Sequence, residues 1–598
     1  MRHKVANAAR RRVTQVCVSL ALLVPLCLAA EAQGTFSLTA DLINGRRDQT
    51  ATLLKDGRVL IAGGFVPSGP GFVATAEIYD PATETFSPTG APIHPRAQHT
   101  ATLLADGRVL LAGGYTCSAR NCTQDGTAEI YDPITGTFQD TGKTTPQGNP
   151  SSVLLANGKV LMAGGILSYG PSADSDAFAA LYDPATGEFQ ELDWKAGFWA
   201  TLTLLPDGKV LIAGGADGAH CQIYDPQTGS LSPALSLAAY PNGVYWQTTA
   251  LLPNGKVLIA GGTDDGDGVN PLNTAVRVDL PRTGAALHAV TASPLKQPRQ
   301  LHSATSLPGG QVLIAGGGNP PSLTSAELYD PTTGQFNYAG DMSTVRSSHT
   351  ATLLTDGRVL MVGGYGPRAP NTAELYRPVV RAISTASLTG PLAPESLATL
   401  TGSVLAPSTE TADPHSPRTY LGDISLRVTD SAGQARMAPL MYVSPAEIRF
   451  QVPAGTATGD ANIEVIGAPS VIAPVKTTIA ATAPGLFAQA DGQAQAYALR
   501  VEADGTQTVL PPGPITLDDR AVYLCVSATG VRNRSTLGGV QATVDGKPIP
   551  VTYAGPTGTA PGWDQVNLLL SSDLKGGSGN LIVTVDGFAS NAVLIDVR

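Results

Sequence analysis

A chain of 598 residues with 66 Gly and 46 Pro, 14% charged side chains and 42% hydrophobic ones is not composed like a helical protein, because Gly and Pro disfavour helix interiors. An ordinary apolar fraction and a net charge of only −10 over this length also argue against disorder. What remains is a turn-rich β protein of roughly two to four domains, and its acidic balance excludes a nucleic-acid binder, which needs basic patches to neutralise phosphate.

The N-terminus reads as a secretory signal. Arg2, Lys4 and Arg10 to Arg12 form a basic opening and Val16 to Ala30 an apolar stretch. Ala30-Glu31-Ala32 puts small residues where a signal peptidase reads, so cleavage is expected after Ala32. The apolar stretch, broken by Pro25, is too short to span a bilayer, and no other segment reads as transmembrane. Val24-Pro25-Leu26 before Cys27 matches a lipobox poorly. Removal of residues 1–32 leaves 33 basic against 47 acidic side chains, a mature charge of −14. Cys117, Cys122, Cys221 and Cys525 remain. Cys117 and Cys122 flank one short loop, and an oxidising compartment favours a local disulfide between them; a metal pair there would lack a nearby third ligand.

Internal repeats organise the first two-thirds of the chain. A Gly-Gly pair closing an apolar run recurs at Gly63, Gly113, Gly164, Gly214, Gly261, Gly316 and Gly363. Each pair follows a hairpin turn such as Asp56-Gly57, Asn157-Gly158 or Asp356-Gly357, whose residues accept positive φ. A third strand then ends in Tyr-Asp-Pro at Tyr79, Tyr131, Tyr182, Tyr224 and Tyr329, degraded to Val278-Asp279-Leu280-Pro281 in the fifth repeat and Tyr376-Arg377-Pro378 in the seventh. A Phe or Leu (Phe86, Phe138, Phe189, Leu231, Leu287, Phe336) starts a fourth strand. Four short strands repeated seven times predict a β-propeller. The seventh repeat lacks its fourth-strand Phe, while an orphan Phe36 precedes the first; residues 35–39 are therefore expected to supply that strand and close the ring.

These motifs resemble the kelch repeat in the form found in the galactose oxidase-like family, over residues 35–380. The resemblance implies a seven-bladed kelch-type propeller whose long-loop face carries binding. At the approach to the first strand, Arg-x-x-His appears at Arg96/His99, Arg299/His302 and Arg346/His349, with Gln49, Pro150, Ala200 and Gln247 at the His position elsewhere. Two readings compete: a histidine-lined metal or proton-transfer site near the channel mouth, or side chains that satisfy backbone groups between repeats. The family contains copper radical oxidases, whose copper site resembles this position with a Tyr immediately before the His. Here Gln98, Leu301 and Ser348 precede it, and the last His in the chain is His415, whereas those oxidases take a further ligand His from the domain after the propeller. No Cys is an obvious partner for a radical Tyr. Copper is accordingly not expected.

In the fourth and fifth repeats the residue before the His position is Trp199 and Trp246, with Trp194, Phe198, Tyr240 and Tyr245 nearby. Aromatic faces offer low-entropy platforms for sugar rings; the alternative is packing between repeats. Asp264, Asp265, Asp267 and Asn270 place oxygen ligands at close spacing in one loop, a candidate calcium site or a solvated acidic turn.

Beyond Pro378 the repeat stops. Leu421 to Val428 aligns with Leu537 to Val544, Glu447 to Val452 with Gln565 to Leu570, and Gly459 to Val465 with Gly577 to Val583. Alternating strands of this kind predict two immunoglobulin-like β-sandwiches, over 381–486 and 487–598. The segment resembles the Solibacter-type C-terminal domain of large secreted acidobacterial proteins, through Ala481-Thr482-Ala483-Pro484-Gly485-Leu486-Phe487, Tyr442-Val443-Ser444-Pro445, Tyr553-Ala554-Gly555-Pro556, Asp564-Gln565-Val566-Asn567 and Ser590-Asn591. That family carries no chemistry to this chain. The expectation is an all-β, secreted, monomeric binding protein without a catalytic cofactor, its ligand a polysaccharide or an extracellular protein. The alternatives are a copper radical oxidase and a purely structural adhesin.

Overall fold

The computed structural model describes residues 34–67, 71–118, 121–145, 147–165, 176–215, 220–253, 255–264, 269–280, 287–318, 322–469, 472–489, 491–502, 504–518, 520–558, 560–574 and 577–598. The expected signal segment 1–32 and most of the loop 166–178 lie outside them. The described structure is built from strands, with three short 3-10 turns and no helix long and apolar enough to cross a membrane.

Seven antiparallel sheets of the same plan occupy the repeat region. In the first, Thr50–Leu53, Val59–Ala62, Ala76–Asp80 and Thr85–Pro88 lie side by side in chain order. The first strand of each sheet packs beside the first strand of the next, and that of the seventh, Thr350–Leu353, beside that of the first, so the sheets form a closed, propeller-like ring. The second strands explain the apolar runs. Val59–Ala62, Val109–Ala112, Val210–Ala213 and Val312–Ala315 are buried along their whole length, because each sheet is covered on both faces by its neighbours. Tyr329 and Phe336 of the sixth sheet thus share a core with Leu258 and Ala260 of the fifth.

The glycine pairs are where the sheets meet. Gly316, at φ 62°, lies so close to the next repeat that a Cβ there would stand 2.4 Å from the Arg346 carbonyl oxygen and 2.9 Å from the His349 ring. Its neighbour Gly317 donates its N–H to that same carbonyl at 2.9 Å. Only glycine supplies both the backbone conformation and the space.

The ring closes through its two ends. Gly34–Leu38 pairs antiparallel with Ala373–Pro378 and provides the outer strand of the seventh sheet. Phe36 lies opposite Tyr376 with ring centroids 4.9 Å apart, the spacing of Tyr79–Phe86 and Tyr131–Phe138 in the sheets made from one continuous segment.

Two further cores follow. One gathers Leu392, Leu426, Ile448, Phe450 and Ile463 between the sheet containing Leu397–Thr401 and the sheet containing Ser425–Thr429. The other gathers Leu524, Val526, Leu568, Leu581 and Ile595 between the sheets containing Ala521–Thr529 and Gly577–Val585. Leu486 belongs to this second core, and Gly485–Leu486 pairs with Ala521–Thr529, so the division falls before Gly485 and not after Leu486 as the sequence alignment placed it. The reason is a long-range contact: the Leu486 N–H and C=O are both held by the Asn591 side chain, at 2.8 and 2.9 Å. The Asp356-Gly357 turn of the seventh sheet docks on the first of these units, with the Val404 N–H donating to Asp356 O at 3.1 Å.

Truncating Phe36 to Ala removes packing that ties the chain ends together, and should cost about 1–3 kcal/mol, less than a fully buried Phe because Phe36 is only partly buried. Deleting residues 34–38 should lower the melting temperature sharply. Calorimetry on both variants checks this, and an unchanged melt after the deletion would refute the closure.

Candidate functional site

Four arginines sit at the start of the approach to a first strand: Arg46, Arg96, Arg299 and Arg346, each 0% exposed. Their contacts repeat. Arg96 donates to Gly113 O at 2.9 Å, Thr127 O at 2.9 Å, Thr127 Oγ1 at 2.7 Å and Glu129 Oε1 at 3.0 Å. Arg299 does the same to Gly316 O, Ser325 O, Ser325 Oγ and Glu327, the last at 2.8 Å. Arg46 and Arg346 reach Glu77 and Glu374, each at 2.5 Å. The carboxylate also accepts backbone N–H groups from the approach segment, Ile93 and His94 in the case of Glu129 and Lys296 and Gln297 in the case of Glu327. Arg96, Arg299 and Arg346 are therefore removed from the ligand-binding set: they are wholly buried, and their terminal guanidinium nitrogens bond inside the protein. Arg46 joins them, and sequence reasoning missed it because Gln49 breaks its Arg-x-x-His pattern. The signal was available in Ala-Glu on the third strand, at Glu77, Glu129, Glu327 and Glu374.

The histidines lie three residues on. His99 Nε2 bonds Thr50 Oγ1 at 3.0 Å, His302 Nε2 bonds Thr248 Oγ1 at 2.8 Å, and His349 Nε2 bonds Ser303 Oγ at 3.0 Å. Each partner is on the first strand of the preceding sheet. Burial, reinforced by the adjacent arginine charge, pushes all three imidazoles down to about 3. Burial therefore holds them neutral at physiological pH. Gln49 and Gln247 do the same bridging work at their positions, donating from Nε2 to Val362 O at 2.7 Å and to Ala213 O at 3.1 Å.

Two residues past each arginine, and at the equivalent place in the three sheets that lack one, comes the residue that faces the axis. Asp48, Gln98, Asn149, Trp199, Trp246, Leu301 and Ser348, one from each sheet, all have left-handed backbone with φ between 48° and 58°. A side-chain-bearing residue held there costs of order 1 kcal/mol or more. Hydrogen bonds running from sheet to sheet offset it: Gln98 N–H donates to Asp48 O at 2.9 Å, Asn149 N–H to Gln98 O at 2.8 Å, and Ser348 N–H to Leu301 O at 2.9 Å. The seven line a cavity of about 550 Å³ on the axis, together with Gln49, His99, Gln247, His302, His349 and Tyr365.

The cavity has two sides. Trp199, Trp246 and Leu301 form an apolar arc; Ser348, Asp48, Gln98 and Asn149 form a polar one. Trp199 packs edge-on against Trp246 at 5.5 Å and Tyr245 at 5.4 Å. Tyr245 thus supports the arc from behind and is not among the lining residues. Trp194 and Tyr240 are elsewhere: Trp194 packs on Tyr224 at 5.3 Å within a core between sheets, and Tyr240 is 1% exposed.

The remaining candidates do not join the site. Cys117 and Cys122 are directly opposed across a hairpin of Tyr115–Ser118 and Asn121–Gln124. Of the acidic loop, Asp264 accepts from Asn242 Nδ2 at 3.4 Å and Asn270 is exposed; Asp265 and Asp267 lie outside the described residues. Among the described residues no three His, Cys, Asp or Glu side chains converge as a metal site.

The Kelch motif family matches residues 301–343. Among solved structures, one described as a novel fungal alcohol oxidase with catalytic diversity among the AA5 family, in complex with copper, is similar at 19% identity with a TM-score of 0.50, covering 75% of this chain and 100% of that one. No curated protein matches. The two findings agree on a β-propeller with a kelch motif and, at this identity, speak to the fold alone. The axial residues do not fit a copper centre of that kind. Each histidine has its Nε2 engaged at a junction between sheets, and Gln98, Leu301 and Ser348 stand where a preceding tyrosine is needed.

Replacing Arg299 with Ala should destabilise the protein by about 3–5 kcal/mol, because Glu327 is left as a buried, unpaired charge, and denaturant unfolding measures it. The histidines predict a pH dependence. The unfolded chain protonates them near 6.5 and the folded chain near 3, so their stabilisation is complete above 6.5 and is lost as pH falls toward 3. His302→Gln, which copies Gln247, should reduce proton uptake on unfolding at pH 5 by about one, measured from the slope of stability against pH.

Proposed function

We propose that this chain is a secreted, non-catalytic binding protein whose propeller takes a carbohydrate in the axial cavity. The observation that carries the reading is the pairing of Trp199 and Trp246 on one wall with Asp48, Gln98 and Asn149 on the other. A pyranose has an apolar face and a rim of hydroxyls, and such a cavity offers stacking to one and hydrogen bonds to the other. The left-handed backbone at the seven axial positions supports the same reading, since strain of this kind gathers at ligand sites.

On this proposal the ring is a seven-bladed kelch-type propeller. The two following units, 381–484 and 485–598, are immunoglobulin-like sandwiches of the Solibacter type that serve as spacer or surface attachment in a bacterial extracellular protein. Cys117 and Cys122, opposed across their hairpin, form a disulfide in that compartment.

A glycan array probed with the mature chain should show saccharide binding. Trp199→Ala/Trp246→Ala should weaken it by about 30-fold or more, the size of an aromatic hot spot. A correctly folded double variant that binds as the parent does would sink the reading, and hydrogen peroxide release from an alcohol substrate by a copper-loaded sample would replace it with the oxidase.

A further inference from the structure

Resting on the saccharide reading above, we propose that Asp48 makes the axial cavity selective for uncharged saccharides over acidic ones, the carboxylate of a uronic acid being the excluded group. Among the described residues that line the cavity, Asp48 is the sole carboxylate and none is Lys or Arg. The nearby cations are all committed. Arg46, Arg96, Arg299 and Arg346 are buried against Glu77, Glu129, Glu327 and Glu374. Arg47 lies 3.5 Å from Asp48, donates to the Tyr365 hydroxyl, and is held over the rings of Phe65 and Tyr365 at 5.0 and 4.4 Å. It braces Asp48 from behind and does not line the cavity. The three histidines, held neutral by burial, add no positive charge.

The hydrogen-bonding capacity of the wall points the same way. Gln49 and Gln247 are 6% and 4% exposed, and each spends its Nε2 on a backbone carbonyl. Their Oε1 atoms are buried without a protein partner. They are too deeply buried to meet a ligand, so Asp48 is the acceptor-only side chain that the wall presents. A sugar hydroxyl donates; a carboxylate only accepts. An acidic sugar would therefore meet, at Asp48, an acceptor it cannot pair with and a like charge at close range in a site of reduced dielectric.

The test uses oligosaccharide pairs on an array that differ only at one terminal carbon, galactose against galacturonic acid and glucose against glucuronic acid, probed with the mature chain. The neutral member of at least one pair should bind at least roughly tenfold more tightly than its acidic counterpart. Asp48→Asn, which keeps the size and tolerates the left-handed backbone, should bring that ratio toward one, whatever it does to the absolute affinity for the neutral member. Ser348→Asp, at the adjoining ring position of the seventh sheet, should increase the ratio, and it decides the matter if Asp48→Asn fails to fold. Equal binding of both members by the parent chain, or a ratio unmoved by a folded Asp48→Asn, overturns the selectivity and leaves the saccharide reading standing. Binding of neither member of any pair overturns the saccharide reading, and the selectivity with it.

Discussion

The buried guanidinium–carboxylate pair is the interaction from which the geometry of the ring follows. Each arginine works in two directions. Its backbone carbonyl accepts the N–H of the second glycine in the preceding sheet, as Arg96 does from Gly64 at 2.9 Å and Arg299 from Gly262 at 2.9 Å. Its side chain binds the first glycine carbonyl of its own sheet and the glutamate beyond it. One residue thus joins two sheets. A buried charge is tolerable only with its partner, so both members of the pair should be present or absent together, and they are. Where the third, fourth and fifth sheets carry Gln147, Gly197 and Val244 in place of arginine, the glutamate position holds Ala180, Gln222 and Val276.

That joint frees the next residue but one. In all seven sheets that position takes a left-handed turn that faces the axis, whatever its side chain and whether or not the arginine is present. The frame repeats and the exposed residue varies, which is how a rigid scaffold carries a specific surface. Trp199 and Trp246 come from two of the sheets that have lost the charged pair. The polar arc of Asp48, Gln98 and Ser348 comes from sheets that keep it. Charge beneath the wall and polarity upon it therefore run together around most of the ring.

The histidines illustrate why a shared fold is a weak guide to chemistry. They stand in the right repeat position to look like ligands, and they line the cavity. Yet each is a spacer between sheets, its Nε2 fixed by a hydroxyl from its neighbour and its charge suppressed by burial. The interchange of His302 with Gln247, or His99 with Gln49, in equivalent places shows that the role is to bridge, which an amide does as well.

The sequence by itself determined the strands, their repetition and the closure of the ring, because these depend on local chemistry that recurs in phase. Gly-Gly corners, Asp-Gly turns and the apolar second strands are each written within a few residues, and the lone Phe36 was legible as the missing partner of Tyr376. The two later units were legible from the offset between their strand patterns, though the dividing point shifted when Leu486 proved to be held by Asn591, a residue more than a hundred positions away. The axial site was legible only in part. Trp199 and Trp246 stood out as aromatics at a repeat position, but Asp48, Gln98, Asn149, Leu301 and Ser348 have nothing in common as residue types. What they share is a backbone conformation and a place on the axis, and both arise only when seven separated segments are brought together. The fate of the arginines was likewise decided by tertiary structure. A guanidinium reads as a ligand-binding group in one dimension, and burial against a glutamate some thirty residues on makes it part of the frame.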